Sequence, residues 1–224
     1  MKTIQETVET IIQRTPFIEE AMQDKLINVS SLARLIQPEV EQSLGKEVKT
    51  GAIMMSINRM SPIEILKIRK NIKSLSLKLG DFIVRSDLFD YTYKNSHTLP
   101  KNISLIFAKI GDNRESFFTV SQGIFETNIV ISANLKEEID LIFSGEELIN
   151  SMSKLASITI KLPKTNLEQS GIYYFILKQL AWANIPVQEV ISTTHEITLV
   201  VKENDINKTF SILIDLKKTS SDSD

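Results

Sequence analysis

Displaced by seventy residues, the chain aligns with itself from Leu105 to Phe143 without a gap. Leu105, Ile106 and Ile110 fall on Phe175, Ile176 and Leu180, and Val120 falls on Val190. Ile129, Val130 and Ile131 fall on Leu199, Val200 and Val201, and Ile142 and Phe143 on Ile212 and Leu213. Apolar periods alone would align any two units of one design. Glu126 falling on Glu196 and Asn134 on Asn204, still without a gap, makes this a repeat. The later two thirds of the chain must therefore fold as two like modules.

The second copy is the easier to read. Ser157–Leu162 alternates as a strand and Gly171–Asn184 is helical. Pro186–Val201 holds two β-branched runs around Ser192, Thr193, Thr194 and His195, the pattern of a hairpin. A further helical run spans about 203–213. Strand, helix, strand, strand, helix is the ferredoxin-like split βαβ order, with its last strand unassigned.

The stretch "NLEQSGIYYFILKQLAWANIPVQEVISTTHEITLVV" resembles an ACT domain, a small-molecule regulatory module. Ile191–Glu196, "ISTTHE", is similar to the hairpin of aspartokinase-type ACT domains, which carry a Ser/Thr-rich turn followed by Glu. The resemblance covers about 155–213. The Gly-rich start and lysine expected at an aspartokinase N-terminus are missing. The first copy, about 80–150, reads as a degenerate ACT-like unit. Ser121–Phe125 replaces the polar turn, and Lys101 stands where Gly171 stands later. It is the expected packing partner of the second copy.

Leu162–Gly171 leads from strand to helix, with Thr165 and Glu168 in capping-box spacing. A helix N-terminus attracts an anion such as a carboxylate, while an α-amino group needs oxygen acceptors. The resemblance implies effector contacts on this loop and on the hairpin. By position these are Asn166, Ser170, Gly171, Ile172, Ser192, Thr193 and Thr194. Each also has a plain structural role open to it: a cap, a tight turn, or a hairpin satisfied by its own hydroxyls. His195 beside Glu196 makes no catalytic pair, since neighbours on a strand face opposite ways. The helix 171–184 is apolar on two sides (Ile172, Phe175, Ile176, Leu180 and Ala183; Tyr173, Leu177 and Trp182), which asks for two packing partners.

The first seventy residues are helical. Ile4, Val8, Ile11 and Ile12 have helical spacing, and Pro16–Met22 reads as a short turn of helix. Ser30 or Ser31 is placed to cap a helix burying Leu32, Leu35 and Ile36, which Pro38 interrupts and Gly45 ends. Thr50–Met60 follows with Ile53, Ile57 and Met60 on one face and Ser56, Asn58 and Arg59 off it. "SSLARLIQPEVEQSLGKEVKTGAIMMSINRM" looks like a helix-turn-helix or winged-helix core. If it reads DNA, Lys46, Lys49, Asn58 and Arg59 are the candidate contacts. Against this, a helix with three methionines and one arginine is poor in base-reading groups.

The chain has 224 residues and a formal charge of −2, yet residues 45–78 hold eight basic and two acidic side chains. Ile63, Ile65, Leu66, Ile68 and Ile72 alternate there with lysine and arginine, an amphipathic connecting helix. Ser74–Tyr93 reads as a β-ribbon, either the wing of the N-terminal module or a strand donated to a repeat. With no cysteine there is neither disulfide nor thiolate chemistry, and His97 and His195 are too few for a histidine metal site. No run reaches membrane-span length and no signal-peptide pattern opens the chain, so a cytoplasmic protein is expected.

The expected fold is α+β. A helical, winged-helix-like module spans 1–72, a degenerate ferredoxin-like βαββα ACT-like unit 73–150, an ACT unit 151–216 and a disordered tail 217–224. No catalytic site, metal or cofactor is expected. The expected function is a regulator that binds an amino acid or similar effector and changes assembly or partner binding. A homodimer through the ACT units is expected, with an amino-acid biosynthetic enzyme as the partner the resemblance suggests. Two alternatives stand beside it: a ligand-responsive DNA-binding regulator, and ACT units used only for dimerisation.

Overall fold

A computed structural model describes residues 2–15, 18, 21–22, 25–60, 79–111, 113, 115–164 and 171–219. Two compact units divide the chain, 1–71 and 72–224.

In the first unit, α1 (Ile4–Gln13) starts at a capping box in which Thr3 and Glu6 satisfy each other's backbone N–H. It buries Val8, Ile11 and Ile12 with Leu32, Ala33, Ile36 and Val40 of α2 (Val29–Leu44) and with Ile53 and Ile57 of α3 (Thr50–Arg59). Asn28, not Ser30 or Ser31, caps α2, accepting the Ser31 N–H at 3.1 Å. Leu35 is 73% exposed rather than in the core. Pro38 lies inside an uninterrupted helix; packing of the Leu32–Val40 face outweighs the one missing hydrogen bond.

Gly45 ends α2 at φ 66°, a left-handed conformation that glycine adopts without strain. The turn to α3 is held from α2. Gln37 donates to the Val48 carbonyl at 2.9 Å and accepts the Thr50 hydroxyl at 2.8 Å, while Glu41 accepts the Val48 N–H at 3.0 Å. That backbone bond, then the Gln37 side chain, hold the Glu41 carboxyl below its ordinary range. Ser56 is buried, its hydroxyl donating to the Ala52 carbonyl, so it belongs to the inner face of α3. The described residues of this unit contain no strand. The connecting helix expected from Pro62, and most of the Pro16–Met22 turn, lie outside the described residues.

The second unit is one six-stranded antiparallel sheet with helices on one face. In chain order it runs β1 (Phe82–Lys94), α4 (Leu99–Ile110), β2 (Phe118–Gln122), β3 (Glu126–Ser132), α5 (Lys136–Ile142), β4 (Leu148–Lys161), α6 (Ile172–Trp182), β5 (Val187–Ser192), β6 (Glu196–Lys202) and α7 (Ile206–Thr219). The strand order is β2-β3-β1-β4-β6-β5. β4 is far longer than Ser157–Leu162, and α7 carries Lys217–Thr219, which the sequence assigned to a disordered tail. The Lys217 ammonium donates to the Gly80 carbonyl at 3.2 Å.

The unassigned fourth strand is found here, and it is exchanged between the repeats. Phe82–Arg85 of β1 pairs with the end of β4 and completes the second repeat; Leu148–Leu155 of β4 pairs with the end of β1 and completes the first. The 82–93 part of the expected β-ribbon is thus a central strand, not a wing. Gly80 runs so close to β4 that a Cβ there would stand 2.9 Å from that of Lys161. A register shift falls between Arg85 and Leu88, and Asp87 and Lys154 both have positive φ, 54° and 56°. A bulge flips the two-residue alternation. Phe82 therefore faces the second core while Tyr91 and Tyr93 face the first. Asp87 and Lys154 occupy equivalent places sixty-seven residues apart, whereas the hairpins are seventy apart. Ten residues, 162–171, join β4 to α6 against four, 95–98, between β1 and α4: three come from this offset and three from the later start of α6.

Ile106 of α4 and Ile176 of α6 are equivalent and both fully buried, each at the centre of its repeat's core. Burying such a side chain contributes about 1.5–3 kcal/mol. The face without helices carries its own small cluster, Leu88, Val130, Leu155 and Val200, with Phe117, Met152 and Ile191 packed on it.

Candidate ligand-binding site

The second repeat brings three segments to one end of its sheet. As the chain leaves β4, the Leu162 N–H donates to the His195 carbonyl at 2.7 Å, tying the strand exit to the β5–β6 turn. The turn closes on itself through Thr193 N–H to Glu196 carbonyl, 2.9 Å. α6 then begins behind Gly171, at φ 104°, where a Cβ would be strained. Gly171, its N-cap, has no side chain with which to cap the first turn of α6. Its first-turn N–H groups and the helix dipole favour an anion there.

The expected residues fall as follows. Gly171 is the N-cap. Ile172 is buried in the core, so only its backbone faces the helix end. Ser192 closes β5, and Thr193 and Thr194 are exposed in the turn. Asn166 and Ser170, with the Thr165–Glu168 capping pair, lie outside the described residues. Tyr173 was assigned from sequence only to an apolar face. Its hydroxyl is 2.7 Å from that of Ser192, so the first turn of α6 reaches the hairpin. Only its phenol oxygen, one residue past the helix start, could have signalled this. The Ser192 hydroxyl also lies 3.2 Å and 3.3 Å from the Thr193 and Glu196 carbonyls.

The same end of the first repeat is built alike and filled differently. Asn95 N–H donates to the Phe125 carbonyl at 3.1 Å and Gly123 N–H to the Glu126 carbonyl at 2.8 Å, the counterparts of the two bonds above. The Asn95 side chain further donates to the Gly123 and Ile124 carbonyls and accepts the Thr127 hydroxyl at 2.6 Å. In the second repeat Leu162 stands in its place and makes none of these.

On the helix-free face, burial pushes the Asp90 carboxyl up, against a 2.6 Å hydrogen bond from Asn128. Burial, then the Asp90 and Glu126 carboxylates, push Glu189 up. Ser157, at the place equivalent to Asp90, is fully buried with no hydrogen-bond partner for its hydroxyl among the described residues. No group of three or more metal-ligating side chains occurs among the described residues.

The four candidate DNA contacts do not converge. Lys46 and Lys49 precede α3, whereas Asn58 and Arg59 lie in its last turn, about 14 Å along the axis by helix rise. Between them the exposed positions of α3 are Gly51 and Met55.

No protein-family model matches the chain, and no curated protein matches its sequence. Solved structures share the fold. The aspartate kinase of Clostridium acetobutylicum matches with a TM-score of 0.50 at 12% identity, over 60% of this chain and 34% of that one. The chain thus spans about a third of that enzyme's length. The regulatory subunit of aspartate kinase from Thermus thermophilus matches with a TM-score of 0.49 at 6% identity, over 62% of this chain and 98% of that one. Over 60% of its length the chain shares the fold of part of that Clostridium enzyme, and the second unit has the ACT-like ferredoxin arrangement.

Proposed function

We propose that this chain is a regulatory protein whose second ACT repeat binds a small effector, an amino acid, and that occupancy changes its assembly. The observation that carries the reading is the N-terminus of α6, which begins at a glycine N-cap, Gly171, and is tied through Tyr173 to the hydroxyl-bearing β5–β6 turn. A carboxylate fits the helix end, where N–H groups and dipole converge. An ammonium group needs acceptors, and the Ser192 hydroxyl and the turn carbonyls supply them. The likeness to an aspartate kinase regulatory subunit supports a regulatory rather than catalytic role.

Self-association belongs to the same reading. Trp182 is 77% exposed at the end of α6, and β2 and β5 are edge strands. An exposed edge and an exposed tryptophan favour a symmetric partner. The DNA-binding alternative has less support, because α3 presents one amide and one guanidinium at the end of the helix, and Met55 at its middle.

The test is a thermal-shift screen of the twenty amino acids, followed by calorimetry on any hit. An effector that binds only the native state raises Tm by mass action, by about 2.7 kcal/mol of stability at a hundredfold excess over Kd. The shift should vanish in Ser192→Ala combined with Gly171→Trp. No shift with any amino acid, or a shift that survives the double substitution, rejects this site.

A further inference from the structure

The N-terminus of α4, the first repeat's counterpart of the α6 end, already carries a carboxylate. The Glu146 side chain comes from the segment between α5 and β4. It accepts the Ser96 hydroxyl at 2.5 Å, the Thr98 hydroxyl at 2.7 Å and the Asn102 side-chain amide at 2.7 Å. The Ser96 oxygen in turn accepts the Leu99 N–H at 3.1 Å, so the carboxylate is linked to the first turn of α4. Three donors on one ionised acceptor is the way a free carboxylate is bound.

The segment that brings Glu146 is held on both sides. Glu146 N–H donates to the Phe143 carbonyl at 2.9 Å. Lys94 pairs with Glu147 at 2.9 Å, and its N–H donates to the Glu147 carbonyl at 3.0 Å. In the second repeat the Lys161 N–H makes the counterpart bond, to the Asp81 carbonyl at 3.2 Å, and Gly80, without a side chain, precedes Asp81 as Glu146 precedes Glu147. The repeat places Leu216 where Glu146 stands, and there α7 continues as helix with Leu216 packed against the core. α5 ends at Ile142, which frees residues 143–147 to turn back over α4. The first repeat thus has an anion of its own at the helix start.

We propose that the first repeat is a carboxylate-binding unit that carries its ligand in the chain. Glu146 occupies the place of a free carboxylate and holds the β1–α4 loop shut against soluble ones. This goes beyond the effector reading and does not depend on it: the first repeat closes on Glu146 whether or not the second binds an amino acid. Where both hold, one chain takes one effector.

The experiment is amide hydrogen exchange over residues 96–104 of the full chain, in acetate and in chloride at equal ionic strength. Glu146→Ala should raise exchange about tenfold, the loss expected of charged hydrogen bonds. Acetate should restore protection in Glu146→Ala but not in Glu146→Ala with Thr98→Val, and should leave the unsubstituted chain unchanged. Glu146→Gln keeps the side chain's volume without its charge. It should exchange faster and, its place being filled, gain nothing from acetate; it also tests the charge if Glu146→Ala does not fold. Unchanged exchange in Glu146→Gln, no acetate effect in a folded Glu146→Ala, or equal protection of the unsubstituted chain by acetate overturns the proposal. Since the probe is acetate and the readout lies in the first repeat, failure here is distinct from failure of the amino-acid screen.

Discussion

In the first repeat, Glu146 sits at the start of α4, Asn95 clasps the β2–β3 turn, and that turn exposes Ile124 and Phe125 at 87% and 81%. In the second, a tyrosine–serine hydrogen bond joins α6 to a turn of Thr193, Thr194 and His195, and the helix begins at a glycine N-cap. The backbones correspond down to paired hydrogen bonds and paired bulges. The difference lies in a few side chains at one end of the sheet. A repeat keeps its core because the core is shared, through β1 and β4, with its neighbour. Its loop end is under no such constraint, and one copy can close while the other stays available.

The largest effect tests the shared core. Ile106→Ala and Ile176→Ala should each cost about 2–5 kcal/mol, as deletions at fully buried sites do. Because β1 and β4 serve both repeats, either variant should shift one common unfolding transition of residues 72–224 in urea. Two separate transitions, with only one moved by each substitution, would show that the repeats are energetically independent.

Gly171→Val should cost about 1–3 kcal/mol, since φ 104° is closed to a β-branched residue. Lys101→Gly, its sequence counterpart inside α4, should cost about 1 kcal/mol through helix propensity alone. Equal losses in thermal denaturation would mean that the two loops are not distinguished by this glycine.

A smaller effect separates Asp90 from Ser157. The native pKa of Asp90 lies above its ordinary value because of burial, so the native state keeps its proton longer than the unfolded chain. Stability then falls as pH rises from about 4, the unfolded value, through the native one. Asp90→Asn should remove that fall, so that the variant gains on the unsubstituted chain between pH 4 and pH 7 in denaturant titrations. A pH-independent difference would contradict it. Ser157→Ala should be neutral or stabilising by about 1 kcal/mol at any pH, as an unpaired buried hydroxyl is lost. A loss greater than that would reveal a partner for the hydroxyl.

Periodicity and the gapless repeat made both helix–hairpin–helix runs legible, with the apolar positions of Ile106, Ile129, Ile176 and Leu199. The two helices within residues 29–59 were equally visible, in Gly45 and the Ile53–Ile57 spacing. Less legible was Pro38, which local propensity reads as a break and tertiary packing keeps within a helix. The start of α6 at Gly171 and the end of β5 at Ser192 were legible, since local turn chemistry marks both. Tyr173 and Glu146 were not, because a tyrosine on an apolar helix and a glutamate in a polar loop have many possible partners.

From sequence alone came the two modules, their α+β order, their ACT resemblance and the polar turn of the second. All of these depend on patterns within a dozen or so neighbouring residues. The tertiary structure decided which strand completes which repeat, that bulges at Asp87 and Lys154 re-aim β1 and β4, and that Glu146 binds the side chains at the start of α4. Those facts join residues forty to eighty positions apart, and no local pattern encodes the register in which distant strands and loops meet.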